Sequence, residues 1–181
     1  GMMVAIAILV GSFRATIVAW THDTLGADLY IKSPGTVDAG FQGYFSPKVA
    51  RLVASVPGVA AVDTYRGFDV PFRGAFAQLG TTDVRALVTR NPLRFLGHPD
   101  VAALARSMYD RNVVAVSEPF STRFGLVPGD AFTLDTPSGR TRFRIAAVYN
   151  DYSTSGGTFM MDRATFARLY HDDTVDSIAV Y

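Results

Sequence analysis

The amino-acid sequence predicts an α+β fold. Strand–helix–strand patterns lie near both ends of the 181-residue chain, and a hairpin-rich stretch lies between them. This order argues against a doubly wound sheet, in which strands and helices alternate throughout. Apolar residues make up 49% of the chain and charged residues 18%, which excludes a disordered chain and supports a sizeable core.

Charge and cysteine content exclude several function classes. The formal net charge of +1 gives no support to a nucleic-acid-binding or membrane-surface patch. The chain has no cysteine, which rules out disulfides, thiolate nucleophiles and cysteine-bound zinc or iron. A cysteine-free chain fits an extracytoplasmic bacterial domain, although many cytosolic proteins also lack cysteine.

The N-terminus carries nine consecutive apolar residues, Met2 to Val10. A spanning helix needs about 20 apolar residues, so this run alone cannot cross a bilayer. The run is either an ordinary buried helix or the end of a transmembrane helix that becomes amphipathic outside the bilayer. The second alternative is suggested by Phe13, Ile17 and Trp20, which share one helix face beyond the run. We predict that residues 1–26 form an N-terminal helix, the stub of a transmembrane helix, before an extracytoplasmic domain at 27–181.

The next elements follow from turn and cap residues. Residues 28–32 are predicted to form a strand and 33–43 a loop. Ser46-Pro47 is typical of a helix start, and we expect this helix to run to about Ser55 with Val49, Leu52 and Val53 facing inward. Residues 59–72 and 75–88 are predicted to be strand-rich and hinged at Arg73-Gly74, and residues 100–109 to form a helix.

The stretch from Val113 to Tyr149 is the most informative. A buried strand at 113–116 is followed by Ser117, which can cap a helix that ends at Gly125 in the left-handed conformation. After Leu126, the four residues Val127 to Asp130 suit a type II turn with positive φ at Gly129.

Two strands of a hairpin are predicted next, at 131–136 and 140–149, joined at Pro137-Ser138-Gly139. In the second strand, strict alternation places Phe143, Ile145, Ala147 and Tyr149 on one face. It places Arg140, Arg142 and Arg144 on the other.

The C-terminal part continues the strand and helix pattern. A polar loop at 150–157 precedes a strand at 158–161, a helix from its cap Asp162 to Tyr170, and a strand at 175–181. The last strand has no polar tail after it, so we expect a second membrane segment to follow.

The motif order resembles the extracytoplasmic domain of FtsX/MacB-type ABC transporter permeases. The resemblance rests on an apolar strand, Ser-Glu, a short helix, Gly-Leu-x-x-Gly-Asp, and a hairpin that ends in Ala-Ala-Val-Tyr. The segments at 26–31 and 56–59 also resemble this family. The resemblance implies two lobes, the first at about 27–75 plus 157–181 and an inserted, hairpin-rich lobe at about 76–156.

The same resemblance implies a function. The domain would be non-enzymatic and would couple ATP hydrolysis by a separate cytoplasmic ABC ATPase subunit to export or release of a substrate. It would lie on the periplasmic side of the cell inner membrane, held by flanking helices, and the permease would pair with a second copy or a paralogue. The resemblance leaves open whether a periplasmic adaptor or a lipoprotein is a further partner. The alternatives are a stand-alone secreted carrier that binds an apolar ligand between two lobes, and an enzyme with an unrecognised site.

The residues themselves predict no metal site. The histidines, His22, His98 and His171, lack ligand spacing, and His171-Asp172-Asp173 comes nearest to a metal cluster. Three adjacent polar residues between a helix and a strand are more typical of a solvated loop.

No catalytic or cofactor-binding residue is predicted either. Ser153-Thr154-Ser155 lacks the surroundings of a nucleophile motif, and Gly156-Gly157 lacks those of a phosphate loop. Glu118, the only glutamate, lies at a helix N-terminus, where the helix dipole accounts for it.

Two polar surfaces remain open to interpretation. Arg140, Arg142 and Arg144 could meet lipid headgroups or nucleic acid, but three separate arginines on the wet side of a hairpin are more typical of a solvated face. We predict no nucleic-acid partner. Residues 149–152 could edge a binding cleft, although they specify no ligand.

Overall fold

The computed structural model describes residues 27–33, 43–89 and 93–181. Within these ranges the predicted α+β fold is confirmed, because eight strands form one sheet and four α-helices pack on it. The predicted N-terminal helix at 1–26 lies outside the described residues. Of the helices in the described ranges, none has the length and apolar character needed to cross a bilayer.

The sheet is mixed, with strand order β1-β8-β2-β3-β7-β4-β6-β5. The pairs β3–β7 and β4–β6 are parallel, and the other neighbours are antiparallel. The elements in chain order are β1 (Leu29–Lys32), α1 (Pro47–Ala54), β2 (Val62–Phe72), β3 (Ala75–Thr82), a 3₁₀ turn (Ala86–Val88), α2 (Val101–Met108), β4 (Val113–Ser117), α3 (Glu118–Phe124), β5 (Ala131–Thr136), β6 (Gly139–Tyr149), β7 (Thr158–Asp162), α4 (Arg163–Tyr170) and β8 (Ser177–Val180).

Strand β2 belongs to two parts of the sheet. Its residues Val62–Tyr65 pair with β8, and its residues Arg66–Phe72 pair with β3. We call β1, β8 and Val62–Tyr65 the small segment, and the strands from Arg66–Phe72 through β5 the large segment. Leu29 of β1 lies opposite Val180 of β8. The chain therefore enters β1 and leaves β8 at the same corner of the small segment.

The core consists of three apolar clusters. On the first face of the large segment, α3 and α4 cover a cluster rich in phenylalanine, which includes Phe120, Phe159 and Phe166. On its second face, α2 and the 3₁₀ turn cover a cluster that includes Met108 and Tyr149. Helix α1 covers the small segment, whose cluster consists of Ala50, Val175, Ile178 and Val180 with half-buried neighbours.

The local predictions for the central stretch are confirmed. The Ser117 hydroxyl caps α3 by accepting from the Phe120 N–H at 3.4 Å, and Gly125 ends the helix with φ 64°. Gly129 has φ 100°, and the Asp130 N–H donates to the Val127 carbonyl at 3.0 Å, as the predicted turn requires.

The predicted alternation along β6 is wrong past its middle. The register with β4 skips Ala146, so a β-bulge adds one residue to β6. The extra residue reverses the alternation. Phe143 and Ile145 therefore join the first-face cluster, whereas Ala147 and Tyr149 join the second-face cluster. Both pairs are buried because helices cover the sheet on both faces.

Two further predictions need correction. Leu52 of α1 is 68% exposed, because the buried stripe of this helix runs along Val49, Ala50 and Val53, and Leu52 lies outside that arc. The predicted strand at 75–88 ends at Thr82, because a turn and the 3₁₀ turn follow.

Candidate functional site

The place where β2 changes partner contains a polar network around Arg66. The Arg66 side chain is only 11% exposed, and its Nη1 donates to Asp176 Oδ1 at 2.7 Å. Its Nε donates to Asp172 Oδ2 at 3.3 Å. The guanidinium also lies 5.4 Å from the ring centroids of Tyr44 and Phe68, within the range of a cation–π contact. One cation therefore binds two carboxylates and two aromatic rings.

Asp176 connects the start of β8 to the point in β2 where the pairing partner changes from β8 to β3. Its Oδ2 accepts from the Gly67 N–H at 2.7 Å, and its own N–H donates to the Tyr65 carbonyl at 2.8 Å. Asp176 therefore bonds to β2 on both sides of the point at which β2 leaves β8 and joins β3.

Arg163, the first residue of α4, holds the neighbouring chain. Its Nη2 donates to the carbonyl oxygens of Asp173 and Thr174 at 2.6 Å each, and its Nη1 donates to Thr81 Oγ1 at 3.3 Å. Burial lowers the pKa of Arg163, and Asp172 and Asp173 oppose that shift. We call Arg66, Arg163 and residues 172–176 the junction clasp.

Within the junction clasp, Asp172 is held as a carboxylate. Burial raises its pKa, but hydrogen bonds from the Thr174 hydroxyl and backbone N–H, together with Arg66, outweigh burial. The pKa of Asp172 is therefore lowered, so this carboxylate stays charged opposite Arg66.

An open cleft separates α1 from α4 beside the junction clasp. Its volume is about 380 Å³. Helix α1, which covers the small segment, forms one wall, and α4, which covers the large segment, forms the other. The lining residues from these two helices are Pro47, Ala50, Arg51, Arg163, Ala164 and Ala167. The helices are therefore neighbours without closing the space between them.

Tyr65 lies on a pair of facing glycines next to the junction clasp. Gly67 and Gly80 are cross-strand partners, and a Cβ on either would come within 2.6 Å and 3.0 Å of the Tyr65 hydroxyl oxygen. Burial, followed by the charges of Asp151 and Asp176, raises the pKa of Tyr65 from 10.0 to about 12. The glycines provide the room for this ring to lie against the sheet.

Tyr149 lies on the same face of the sheet and is fully buried. Burial raises the pKa of Tyr149 well above its usual value, and the charge of Asp151 adds to the effect. Among the described residues, no hydrogen bond of normal geometry reaches the Tyr149 hydroxyl. The nearby Thr158 side chain partly offsets the rise in the Tyr149 pKa.

A second, larger cleft lies beside the β2–β3 hairpin. Its volume is about 710 Å³, and the hairpin, α3 and the loop at 150–157 form its walls. Phe76 lines it and is 64% exposed. Arg123 of α3 crosses to the loop, where its Nη1 donates to the Ser155 carbonyl at 3.5 Å. The lining combines the Phe76 ring, the side chains of Asp69 and Gln78, the Arg123 cation and several hydroxyls.

The predicted polar motifs of this loop lie at or near the cleft. Ser153, Thr154, Ser155 and Gly156 line it. Gly157 packs against the start of α3, where a Cβ would lie 2.4 Å from the Phe120 nitrogen. Tyr152 is exposed and its hydroxyl donates to Glu118. The edge of a binding cleft was predicted at residues 149–152. Instead, the loop residues that line the cleft begin at Ser153, and Tyr149 is buried.

The residues of the nearest metal-like motif have separate partners. His171 Nε2 lies 3.0 Å from Ser138 Oγ, whereas Asp172 faces Arg66. His98 is exposed in a loop, and His22 lies outside the described residues. In the ranges 27–33, 43–89 and 93–181 no three His, Asp or Glu side chains group as metal ligands would.

The three arginines of β6 are exposed on the second face, near the free edge strand β5. Their partners across the β5–β6 ladder are Asp135, Thr133 and Ala131. This placement agrees with a solvated face and shows no ligand.

Sequence reasoning missed Arg66, Arg163 and Asp176. Arg66 and Asp176 are 110 positions apart in the chain. A cluster of aspartates before the last strand was the only available signal, and it does not identify the arginine that binds them.

Comparisons with known proteins agree with this architecture. The sequence model of the MacB-like periplasmic core domain matches residues 1–181. An uncharacterized ABC transporter permease protein of Mycobacterium tuberculosis is 29% identical over 183 residues, which cover 99% of this chain and 21% of that protein. The chain thus spans about a fifth of the length of this curated relative.

Two solved structures share the fold. The periplasmic region of MacB from Actinobacillus actinomycetemcomitans superposes with a TM-score of 0.56 at 12% identity, covering 86% of this chain and 75% of that one. The extracellular domain of the ABC-type transporter YknZ from Gram-positive bacteria gives 0.55 at 9% identity, covering 84% and 81%.

Proposed function

The chain belongs to the MacB-like periplasmic core domain family, the periplasmic domains of ABC-type transporter permeases, and from this premise we propose that it transmits force. In this proposal a separate cytoplasmic ATPase subunit hydrolyses ATP, and the domain passes the resulting movement to a substrate outside the membrane, which is exported or released. The domain itself performs no bond-making chemistry. It lies on the periplasmic side of the cell inner membrane, and the permease pairs with a second copy or a paralogue.

The observation that best supports this proposal is the shared corner of β1 and β8. The Asp28 N–H donates to the Val180 carbonyl at 2.9 Å, so the two connections of the domain lie side by side. A domain inserted between two membrane segments needs its connections close together. From this corner the sheet extends over seven strand spacings, roughly 34 Å, to β5. Such a shape can carry a movement at the membrane to a distant surface.

The proposal predicts the effect of removing the domain from the full-length permease. Since β1 and β8 are neighbours about 5 Å apart, a Gly/Ser linker of about six residues can replace residues 28–181 without straining the flanking segments. We expect the ATPase subunit to copurify as before, because that contact lies on the cytoplasmic side. We expect the extracytoplasmic material, compared by mass spectrometry, to lose the exported component.

A permease that lacks the domain but yields an unchanged extracytoplasmic profile would contradict force transmission. A stand-alone carrier makes a different prediction. In that case the wild-type chain would copurify with no ATPase subunit at all.

A further inference from the structure

The small segment has its own apolar cluster, covered by α1, and an open cleft of about 380 Å³ lies between α1 and α4. Across the junction, Tyr65 of the small segment lies against Gly67 and Gly80 of the large segment. Units with separate cores are expected to move relative to each other unless contacts between them prevent it.

Most of the polar contacts that oppose such movement lie in the junction clasp; outside it, the Thr82 hydroxyl donates to Asp63 Oδ2 at 3.3 Å. The chain passes between the small and large segments twice. Strand β2 makes the first passage as one continuous strand, and residues 172–176 make the second, between α4 and β8. Arg66 binds both ends of that second passage through Asp172 and Asp176, whose side chains are 26% and 15% exposed. Removal of the arginine leaves two aspartates without their shared cation.

Ion pairs that are largely shielded from water can fix one arrangement of a structure without adding much stability. The geometry suits that role, since the Arg66 guanidinium lies 5.4 Å from the ring centroids of both Tyr44 and Phe68, and these contacts limit its freedom to follow the aspartates. Tyr44 precedes α1 and Phe68 lies in the large segment, so the contacts of Arg66 reach both units.

We propose that Arg66 is a positioning residue that fixes the angle between the small and large segments. A movement of the small segment is then passed to the large segment instead of being absorbed by bending of β2. This inference rests on the proposed function, because it assigns to one residue the rigidity that force transmission requires.

The test uses the full-length permease and two pairs of spin labels on introduced cysteines. The chain has no cysteine of its own, and any cysteine elsewhere in the permease is replaced. One pair, at the exposed positions Ala54 and Thr133, spans the junction over roughly 30 Å; the other, at Asp69 and Thr133, lies within the large segment over roughly 24 Å. Labelled copies are diluted with unlabelled copies, and distances are measured by pulsed electron–electron resonance.

In the wild type we expect a narrow distance distribution for both pairs. In Arg66→Met, which keeps an unbranched apolar side chain but removes the guanidinium and its charge, the junction-spanning distribution should become at least twofold broader. The distribution within the large segment should stay unchanged. Arg66→Lys should fall between the two. The control Arg168→Met removes an arginine of α4 that is 47% exposed and binds Asp110 and Asn112, away from the junction, and it should leave both distributions narrow.

Two results would overturn the inference. If the junction-spanning distribution stays narrow in Arg66→Met, the arginine does not set the angle. If both distributions broaden, Arg66 is a general stabiliser of the domain. Neither measurement involves ATP or substrate, so a negative result here leaves the proposed function to be judged by the linker replacement alone.

Discussion

Replacing Gly157 by alanine tests how the wall of the larger cleft is built. Gly157 has φ 75°, and an added Cβ would lie 2.4 Å from the nitrogen of Phe120, 2.5 Å from its Cα and 2.7 Å from its Cβ. Two of these neighbours are backbone atoms at the start of α3, which cannot rotate away. The helix start or the loop at 150–157 must therefore shift by about 1 Å to restore ordinary van der Waals distances.

The expected cost has two parts. The left-handed backbone costs a non-glycine residue about 1–2 kcal/mol, and overpacking costs a further 1–3 kcal/mol or so. Gly74 provides a matched control, since its φ is 76° and a Cβ there would meet nothing within 4 Å. Gly74→Ala should therefore show only the backbone cost, and Gly157→Ala should be less stable than Gly74→Ala by about 1–3 kcal/mol.

Urea denaturation of the purified chain, followed by circular dichroism, measures this difference. With a slope of about 2 kcal/mol per molar urea, a 2 kcal/mol gap lowers the midpoint of Gly157→Ala by about 1 M relative to Gly74→Ala. The slopes should agree, because both variants expose the same surface on unfolding. Equal midpoints for the two variants would refute the close approach between the loop and α3.

Two further predictions concern Ser117 at the start of α3 and Tyr65 beside the junction clasp. Ser117→Ala leaves the N–H groups of Phe120 and Thr158 without their acceptor, and it should lower the free energy of unfolding by about 1–3 kcal/mol. The control Ser46→Ala removes an exposed helix cap and should lower it by only about 0.5–1 kcal/mol. Equal losses of stability in urea denaturation would contradict the double role of Ser117. For Tyr65, burial raises the folded-state pKa from 10.0 to about 12, so the stability linked to its proton is complete below about pH 10 and is lost as the pH rises towards 12. Over that window Tyr65→Phe should gain up to about 2–3 kcal/mol relative to the wild type in urea midpoints, and a constant difference from pH 9 to 12 would refute the shift.

The sequence predicts local structure well where one residue determines the backbone. Gly125 and Gly129 adopt the positive φ expected of a helix end and of a type II turn. Ser46, Ser117 and Asp162 cap helices as expected. These outcomes depend on contacts within a few residues, so a short stretch of sequence contains the necessary information.

Other features depend on partners that are distant in the chain. The bulge at Ala146 is set by how β6 must pair with β4, and an alanine there carries no signal of it. The same reasoning applies to the strand order, in which β8 lies between β1 and β2. The junction clasp was missed for this reason, because an isolated arginine in a strand gives no indication of the aspartates that it binds.

The register of β1 and β8 determines how the small segment bears load. Leu29 faces Val180, so both connections pull on the same end of this ladder. A displacement that parts them would open the outermost backbone hydrogen bonds first and then the next, as a zipper opens, and each step needs only a small force. A displacement that carries both connections in the same direction places no such strain on the ladder and turns the small segment as one lever. Under the proposed function, movement of the two chain segments that lead into β1 and out of β8 in the same direction would therefore be transmitted, whereas their separation would not.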